Sequence, residues 1–345
     1  GTSDNLSMNA TLSYRLYNGG RDRAGLAAAE AGNTASLHEM EIVRSELGFA
    51  VVKTLFTIVQ AGETLTARQA AIDAIDASLR AARARYEAGD LLRADLLSLE
   101  VHQSEARENL IRARHGLELA GQAFLNLLGL EKGPVTIAPE SEIEHLAPPD
   151  LSFDQHPELK KLTAAIQAAE AEVRQAQGGY YPTADAFAGY QVDHGYEFDG
   201  SGNSWLAGVK VNFNLFAGRQ TQAQVAAAKA RLAEQKEQLR KLSLAINLQV
   251  EHARLALEEA QQRVLVTEKM VEQAEESASL SRERFKEGLV LSSELIDVEK
   301  RLTDARVRRT LALTAQKIAV ADLRRALGLT QFDTAMQAGS AGTGS

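Results

Sequence analysis

Side chains able to do chemistry are thinly spread through these 345 residues. The seven histidines are scattered, and none belongs to a His-Glu-x-x-His set. His102, His115 and His252 read as ordinary helix residues. Cysteine is absent, which removes thiolate nucleophiles, disulfides and thiolate metal ligands. No Gly-x-Ser-x-Gly, Walker A loop or Gly-x-Gly-x-x-Gly follows a strand-like run, and Gly19-Gly20 reads as a strand exit rather than a phosphate loop. These observations predict a non-enzyme with no catalytic residue, no cofactor and no metal. The acids whose spacing stands out are Glu294 and Asp297, three apart and so on one helix face. The positive first turn of a helix would favour the same residue types.

The elements that must position those acids follow from composition. Hydrophobic residues make up 45% of the chain and aromatics 5%; with six prolines and long Ala/Leu/Glu/Arg/Gln-rich stretches, this points to long helices. The net charge of −8, from 46 acids and 38 bases, does not attract nucleic acid, and no basic stripe with interleaved aromatics occurs. No run of about 18 apolar residues exists, so no membrane-spanning helix is expected. A membrane β-barrel stays open, because its strands alternate and escape hydropathy scans. The chain begins Gly1-Thr2-Ser3 without an apolar signal region, so an N-terminal piece is expected to precede it.

The chain reads as a duplication with an offset of 199. Arg85-Tyr86-Glu87-Ala88-Gly89 resembles Arg284-Phe285-Lys286-Glu287-Gly288, and Leu128-Gly129-Leu130 matches Leu327-Gly328-Leu329. Leu16-Tyr17-Asn18-Gly19 pairs with Leu215-Phe216-Ala217-Gly218 at the same offset. Each half is a strand, a very long helix, a glycine turn and a second helix. The resulting divisions are residues 1–130 as a first, N-terminally incomplete repeat, 131–155 as an irregular linker, 156–330 as the second repeat, and 331–345 as a flexible tail.

The long helix of the second half is expected over residues 225–287. Its apolar stripe at Leu239, Leu242, Ile246, Val250, Ala253, Leu257, Ala260, Val264, Val271 and Ala274 alternates spacings of three and four, a coiled-coil seam. The first half repeats it at Met40, Val43, Leu47, Val51, Thr54, Ile58, Ala61, Leu65, Ile72 and Ile75, with one shared break at Thr267 and Arg68. Such a helix is about 95 Å long at about 1.5 Å per residue, against about 57 Å for residues 91–128 and about 34 Å for 156–178. Two short helices stacked end to end would match one long helix, with the linker as a belt at mid-height.

Strands are expected at 8–17, 183–192 and 205–216, with an exposed Gly/Asp/Ser-rich loop at 193–204. Met8, Ala10, Leu12, Tyr14 and Leu16 alternate with Asn9, Thr11, Ser13 and Arg15. Ala207, Val209, Val211, Phe213 and Leu215 alternate with Gly208, Lys210, Asn212 and Asn214. One apolar and one polar face fit a barrel with a wet lumen; a half-buried sheet in a soluble protein is the other reading. Pro182 marks the switch from helix to strand.

The repeated halves, the Tyr181-Pro182-Thr183 junction, the strand-ending Leu16-Tyr17-Asn18-Gly19 and Leu215-Phe216-Ala217-Gly218, and the turns Tyr86-x-x-Gly89 and Phe285-x-x-Gly288 together resemble the TolC-type outer-membrane efflux protein family, from about Met8 to Leu329. The resemblance implies a mainly α chain with a transmembrane β-barrel portion. Three protomers would share a 12-stranded barrel in outer-membrane lipid and an α-barrel of long antiparallel coiled-coil helices in the periplasm. The function implied is passive exit of drugs, metals or proteins in efflux or type I secretion. The partners would be a periplasmic adaptor and, through it, an inner-membrane transporter. The family protomer supplies four strands where three are read here. The tips Gly89-Asp90-Leu91 and Gly288-Leu289-Val290 would dock the adaptor, with Leu91, Leu289 and Val290 as exposed hydrophobes. Glu294 and Asp297 match acids that ring the family's narrowest aperture, and Asp95 would help latch the closed state. Some members latch through an Arg where Val290 stands, so that ion pair is absent. The alternative is a periplasmic coiled-coil scaffold or adaptor with a small soluble sheet.

Overall fold

Proline and glycine punctuate this chain where one element gives way to the next. The computed structural model describes residues 5–135, 147–195 and 200–332. In order these form β1 (Asn5–Tyr17), α1 (Arg21–Ala88), α2 (Arg93–Leu127), α3 (Pro157–Gln177), a 3-10 turn (Gly178–Tyr180), β2 (Thr183–Gly195), β3 (Gly200–Asn212), α4 (Gln220–Lys286) and α5 (Ser292–Ala326). The duplication is carried in these boundaries. Adding 199 to Arg21, Arg93 and Leu127 gives 220, 292 and 326, the observed starts of α4 and α5 and the end of α5. The expected tail lies largely outside the described residues, as does 136–146 of the expected linker; its flanks 131–135 and 147–156 carry no helix or strand.

The chain divides into two compact units, and α1 and α4 contribute to both. The first unit comprises Gly1–Glu41 and Pro157–Leu244. Its sheet has the order β1-β2-β3, antiparallel throughout. None of the strand residues whose side chains are described is buried. Met8, Leu12 and Tyr14 on β1 and Trp205, Val209 and Val211 on β3 are exposed apolar side chains that no helix of this unit covers. A half-buried sheet in a soluble protein would cover one face; this one covers neither.

Four strand limits differ from expectation: the start of β1, the end of β2 and both ends of β3. β3 stops at Asn212 rather than continuing to Phe216, because Thr183↔Asn212 is its last pair with β2 and Pro182, lacking an N–H, cannot extend the ladder. At the other end the loop expected at 193–204 is mostly strand, since Asp193↔Gly202 and His194↔Ser201 pair and the Ser7 hydroxyl donates to Asp193 at 2.6 Å. Ladder pairing on both sides of β2 outweighs the weak strand propensity of glycine and serine. Residues 196–199 lie outside the described set.

Where β1 enters α1, backbones meet closely. A Cβ on Gly19, whose φ is +69°, would stand 2.4 Å from the Gly178 carbonyl oxygen, so no other residue fits. Asn18 is buried beside it and its side-chain oxygen accepts from the Asp22 N–H at 3.4 Å.

The second unit, Ile42–His156 and Ala245–Ser345, is built on the hairpins α1/α2 and α4/α5. On α4 the expected seam is buried at Ile246, Val250, Ala253, Leu257, Ala260 and Val264. Thr267 continues it rather than breaking it, because its hydroxyl donates to the Arg263 and Val264 carbonyls at 2.7 and 3.0 Å. On α1 the seam is buried at Ile58, Ile72 and Ile75, but Met40, Val43 and Leu47 are exposed. The helix instead buries Val52 and Phe56 against Ala321 of α5, with Phe49 and Ile318 packed alongside. That second apolar face is duplicated only in part: Phe49 and Phe56 have Leu248 and Leu255 as mates, but Val52 has Glu251 and Ala321 has Gln122. Among the described residues no helix is long and apolar enough to cross a membrane.

Candidate functional site

The turns that close the two hairpins share one geometry. In each, a glycine at C′ takes positive φ, +85° at Gly89 and +79° at Gly288. The Gly89 N–H donates to Tyr86 O at 3.0 Å and Asp90 N–H to Arg85 O at 2.8 Å. Their counterparts are Gly288 to Phe285 at 3.1 Å and Leu289 to Arg284 at 2.9 Å. Both turns therefore stop their helices with the same paired capping bonds.

Beneath the turns lies one core. Ile75, Leu79, Ala82, Leu99, Phe285 and Leu295 are buried together, and Leu91, Leu96, Ala106, Val290 and Ile296 pack onto it. This corrects the expectation that Leu91 and Val290 project without a core to enter, because the turns bring both, partly buried, against this core. Leu289 remains 69% exposed. Two leucines that sequence reasoning passed over are exposed as well: Leu92 and Leu291 are the N-cap residues of α2 and α5, 72% and 67% exposed. Serine, threonine, asparagine or aspartate would cap those helices better, so an exposed leucine there gains nothing locally. The signal was present as tandem apolar residues inside both turns, Leu91-Leu92 and Leu289-Val290-Leu291.

Arg85 joins the two hairpins. Its Nη1 donates to the Phe285 carbonyl at 2.7 Å, its Nη2 to the Asp90 carbonyl at 3.2 Å, and the guanidinium stands 5.4 Å from the Phe285 ring centroid. Asp95 makes the second link, its carboxylate accepting from the Ser292 hydroxyl at 2.5 Å with Ser292 fully buried. Asp95 thus ties the first turn of α2 to the start of α5. Sequence reasoning singled out Asp95 but neither Arg85 nor Ser292.

Glu294 and Asp297 are both exposed on α5, as the spacing requires. Glu294 sits in the first turn, and Asp297 pairs with Arg301 at 2.6 Å on the solvent face. Deeper in, each hairpin repeats one ion pair: Arg83–Glu100 at 3.0 Å and Arg282–Glu299, whose Nη2 reaches Oε2 at 2.8 Å. Hydrogen bonding to Glu299 holds the Arg282 guanidinium above its ordinary range despite the opposing effect of burial.

The sequence pattern of the outer membrane efflux protein family matches residues 1–130 and 149–329. The chain is 27% identical to the outer membrane efflux protein BepC of Brucella suis over 230 residues, 65% of this chain and 50% of BepC. It is 24% identical to the cobalt-zinc-cadmium resistance protein CzcC of Cupriavidus metallidurans over 326 residues, 92% of this chain and 76% of CzcC. The chain thus spans about half the length of BepC, and 55% of the protein CyaE of Bordetella pertussis, to which it is 28% identical over 276 residues. In fold it is similar to CusC, with a TM-score of 0.84 over 94% of this chain and 78% of that one at 17% identity. Vibrio cholerae VceC gives 0.79 over 95% and 87% at 16% identity. With the family pattern covering most of its length, this chain belongs to the outer membrane efflux protein family.

Proposed function

We propose that the chain is a subunit of an outer-membrane channel-tunnel, a passive exit duct in a tripartite efflux or type I secretion system. One observation carries the reading: an alternating three-stranded sheet with no buried face is joined to two copies of a long helical hairpin. Such a sheet gains cover for its apolar face from lipid, and its polar face, with Arg15 and Lys210, suits a water-filled lumen. Closure removes the open strand edges that an isolated sheet would leave.

In this reading three protomers share a 12-stranded barrel, which needs four strands from each, and their six hairpins close an α-barrel in the periplasm. The turns Gly89-Asp90-Leu91 and Gly288-Leu289-Val290 meet a periplasmic adaptor and, through it, an inner-membrane transporter. Leu289, Leu92 and Leu291 supply the docking surface, while Leu91 and Val290 hold the turns in shape. Glu294 and Asp297 place carboxylates around the narrow periplasmic end, raising the local cation concentration, and Asp95 helps to hold that end closed. CzcC is named for resistance to cobalt, zinc and cadmium, and metal ions belong with drugs and proteins among the cargoes such a duct would pass.

The test is conductance in a planar bilayer after reconstituting the full-length protein. Discrete cation-selective channels are expected. A protein that stays soluble without detergent and conducts nothing would return the reading to a periplasmic scaffold.

A further inference from the structure

One face of the three-stranded sheet gathers polar side chains from all three strands, and the register sets them in rows. Arg15, Asp185 and Lys210 form a charged row, with Arg15 Nε 3.6 Å from the Asp185 carboxylate. Farther along the strands come Asn9, Gln191 and Ser204, and beyond them Ser7 donates to Asp193. Two apolar side chains stand on this same face, between the charged row and the amide row. Phe187 lies between Ser13 and Gly208, and one row on Leu206 lies beside Gly189.

Alternation accounts for the polar face but not for this pair. Residues two apart share a face, so Phe187 belongs with Asp185, and Leu206 with Lys210. Phe187 and Leu206 are diagonal neighbours on adjacent strands, a separation that an aromatic side chain bridges. The Phe187 ring lies over Gly208, where an added Cβ would stand 3.1 Å from it. The ring is nonetheless only half-buried, and Leu206 is 65% exposed. In the channel reading this face is turned to the water-filled lumen, so lipid does not cover either side chain.

The occupant follows from size and surroundings. One ring and one leucine fall far short of the about 800 Å² per partner that a stable protein interface buries. They suit a single aromatic ring or short alkyl group, which gains by leaving water and by stacking. The charged row begins about 7 Å away, two residues along the strand, and it carries both signs. We propose that Phe187 and Leu206 form a contact site in the lumen for small amphipathic organic molecules. The site holds their ring or alkyl portion while Arg15, Lys210 or Asp185 meets the charged portion. The apolar portion, not the sign of the charge, decides what is retained. This inference rests on the channel reading above and adds to it a class of cargo that the wall of the duct contacts in passing.

Paired blockers of the full-length protein in planar bilayers test it. Benzyltrimethylammonium and tetramethylammonium share a cationic group, and benzenesulfonate and methanesulfonate share an anionic one; only the first of each pair has a ring. Both ring-bearing ions should reduce single-channel current at concentrations about five- to tenfold lower than their ringless partners. Phe187→Thr should erase most of that difference for both signs, Phe187→Trp should keep it, and Leu206→Thr should reduce it. If Phe187 serves only to cover Gly208, Phe187→Thr leaves the difference unchanged and the inference is overturned. Equal block by ring-bearing and ringless ions in the parent overturns it too, as does a difference confined to one sign. Should Phe187→Thr not insert, Leu206→Thr, at an exposed position, decides, and an unchanged difference there counts against the site. In all these outcomes the parent conducts and the channel reading stands. A parent that conducts nothing overturns that reading and this inference with it.

Discussion

The two hairpins pair helices of 68 and 35 residues and of 67 and 35 residues, with matching turns and a matching interhelical ion pair, yet they are buried very differently. α5 buries thirteen residues along its 35, and α2 of equal length buries only Leu99, Ala120 and Leu125. Glu299 is sheltered with 7% of its side chain exposed, where its mate Glu100 shows 38%. Phe285 is 1% exposed and its mate Tyr86 39%. The sequence of each half specifies the same hairpin, and what differs is the company it keeps. α5 lies against α1 within the chain, while the corresponding face of α2 has no such neighbour in it. In the channel reading proposed above, this open face of α2 is where another protomer of the ring would lie.

The largest difference between the hairpins is expected at the tip core. Phe285→Ala should cost about 3–5 kcal/mol through the cavity it opens, read as a fall in denaturant midpoint or as lost hydrogen-exchange protection in the first turns of α2 and α5. Tyr86→Ala in separated monomers should cost under about 1 kcal/mol, since its ring is partly in water already. Equal losses would mean that the two tips are packed alike. A smaller contrast is expected at the ion pairs. Glu299→Ala leaves Arg282 half-sheltered and unpaired, for about 1–3 kcal/mol; Glu100→Ala removes a surface pair worth about 0–1 kcal/mol. Melting both variants beside the parent gives the difference.

At the docking surface the contrast lies between function and stability. Serine at Leu92, Leu289 and Leu291 together should shift the denaturant midpoint little, because these side chains are exposed, while abolishing export in cells. Leu91→Ser should instead weaken the tip itself. Export untouched by the triple variant would remove the docking role. The smallest effect is expected at the acids. Glu294→Ala with Asp297→Ala should lower cation selectivity and block by multivalent cations in single-channel recordings; parental behaviour would mean that both are merely helix-end residues.

Periodicity and repetition carried most of the fold. The offset of 199, the seam on α4 and the glycine turns are properties of local residue type, and each half supports the other's reading. What could not be read was pairing between the halves. Val52 and Phe56 form a second buried face because α5 lies there, and the repeat records it only in part, since Phe56 has Leu255 as its mate but Val52 has Glu251. Arg85 belongs to the repeated tip motif, but its link across the hairpins is not legible there, since its hydrogen-bond partners are backbone carbonyls that sequence does not distinguish. Leu91 and Leu92 are adjacent and alike in type, yet one turns inward and the other outward; only the turn geometry separates them. The ends of β3 were set by Pro182 and by the reach of β2 rather than by the residues of β3.

The channel reading requires that copies of this chain close a ring. Native mass measurement of the full-length protein in mild detergent tests this directly. Three copies per particle are expected, with no stable smaller species at equilibrium. A stable monomer or dimer, with the faces around Leu119 and Leu248 still open to solvent, would contradict it.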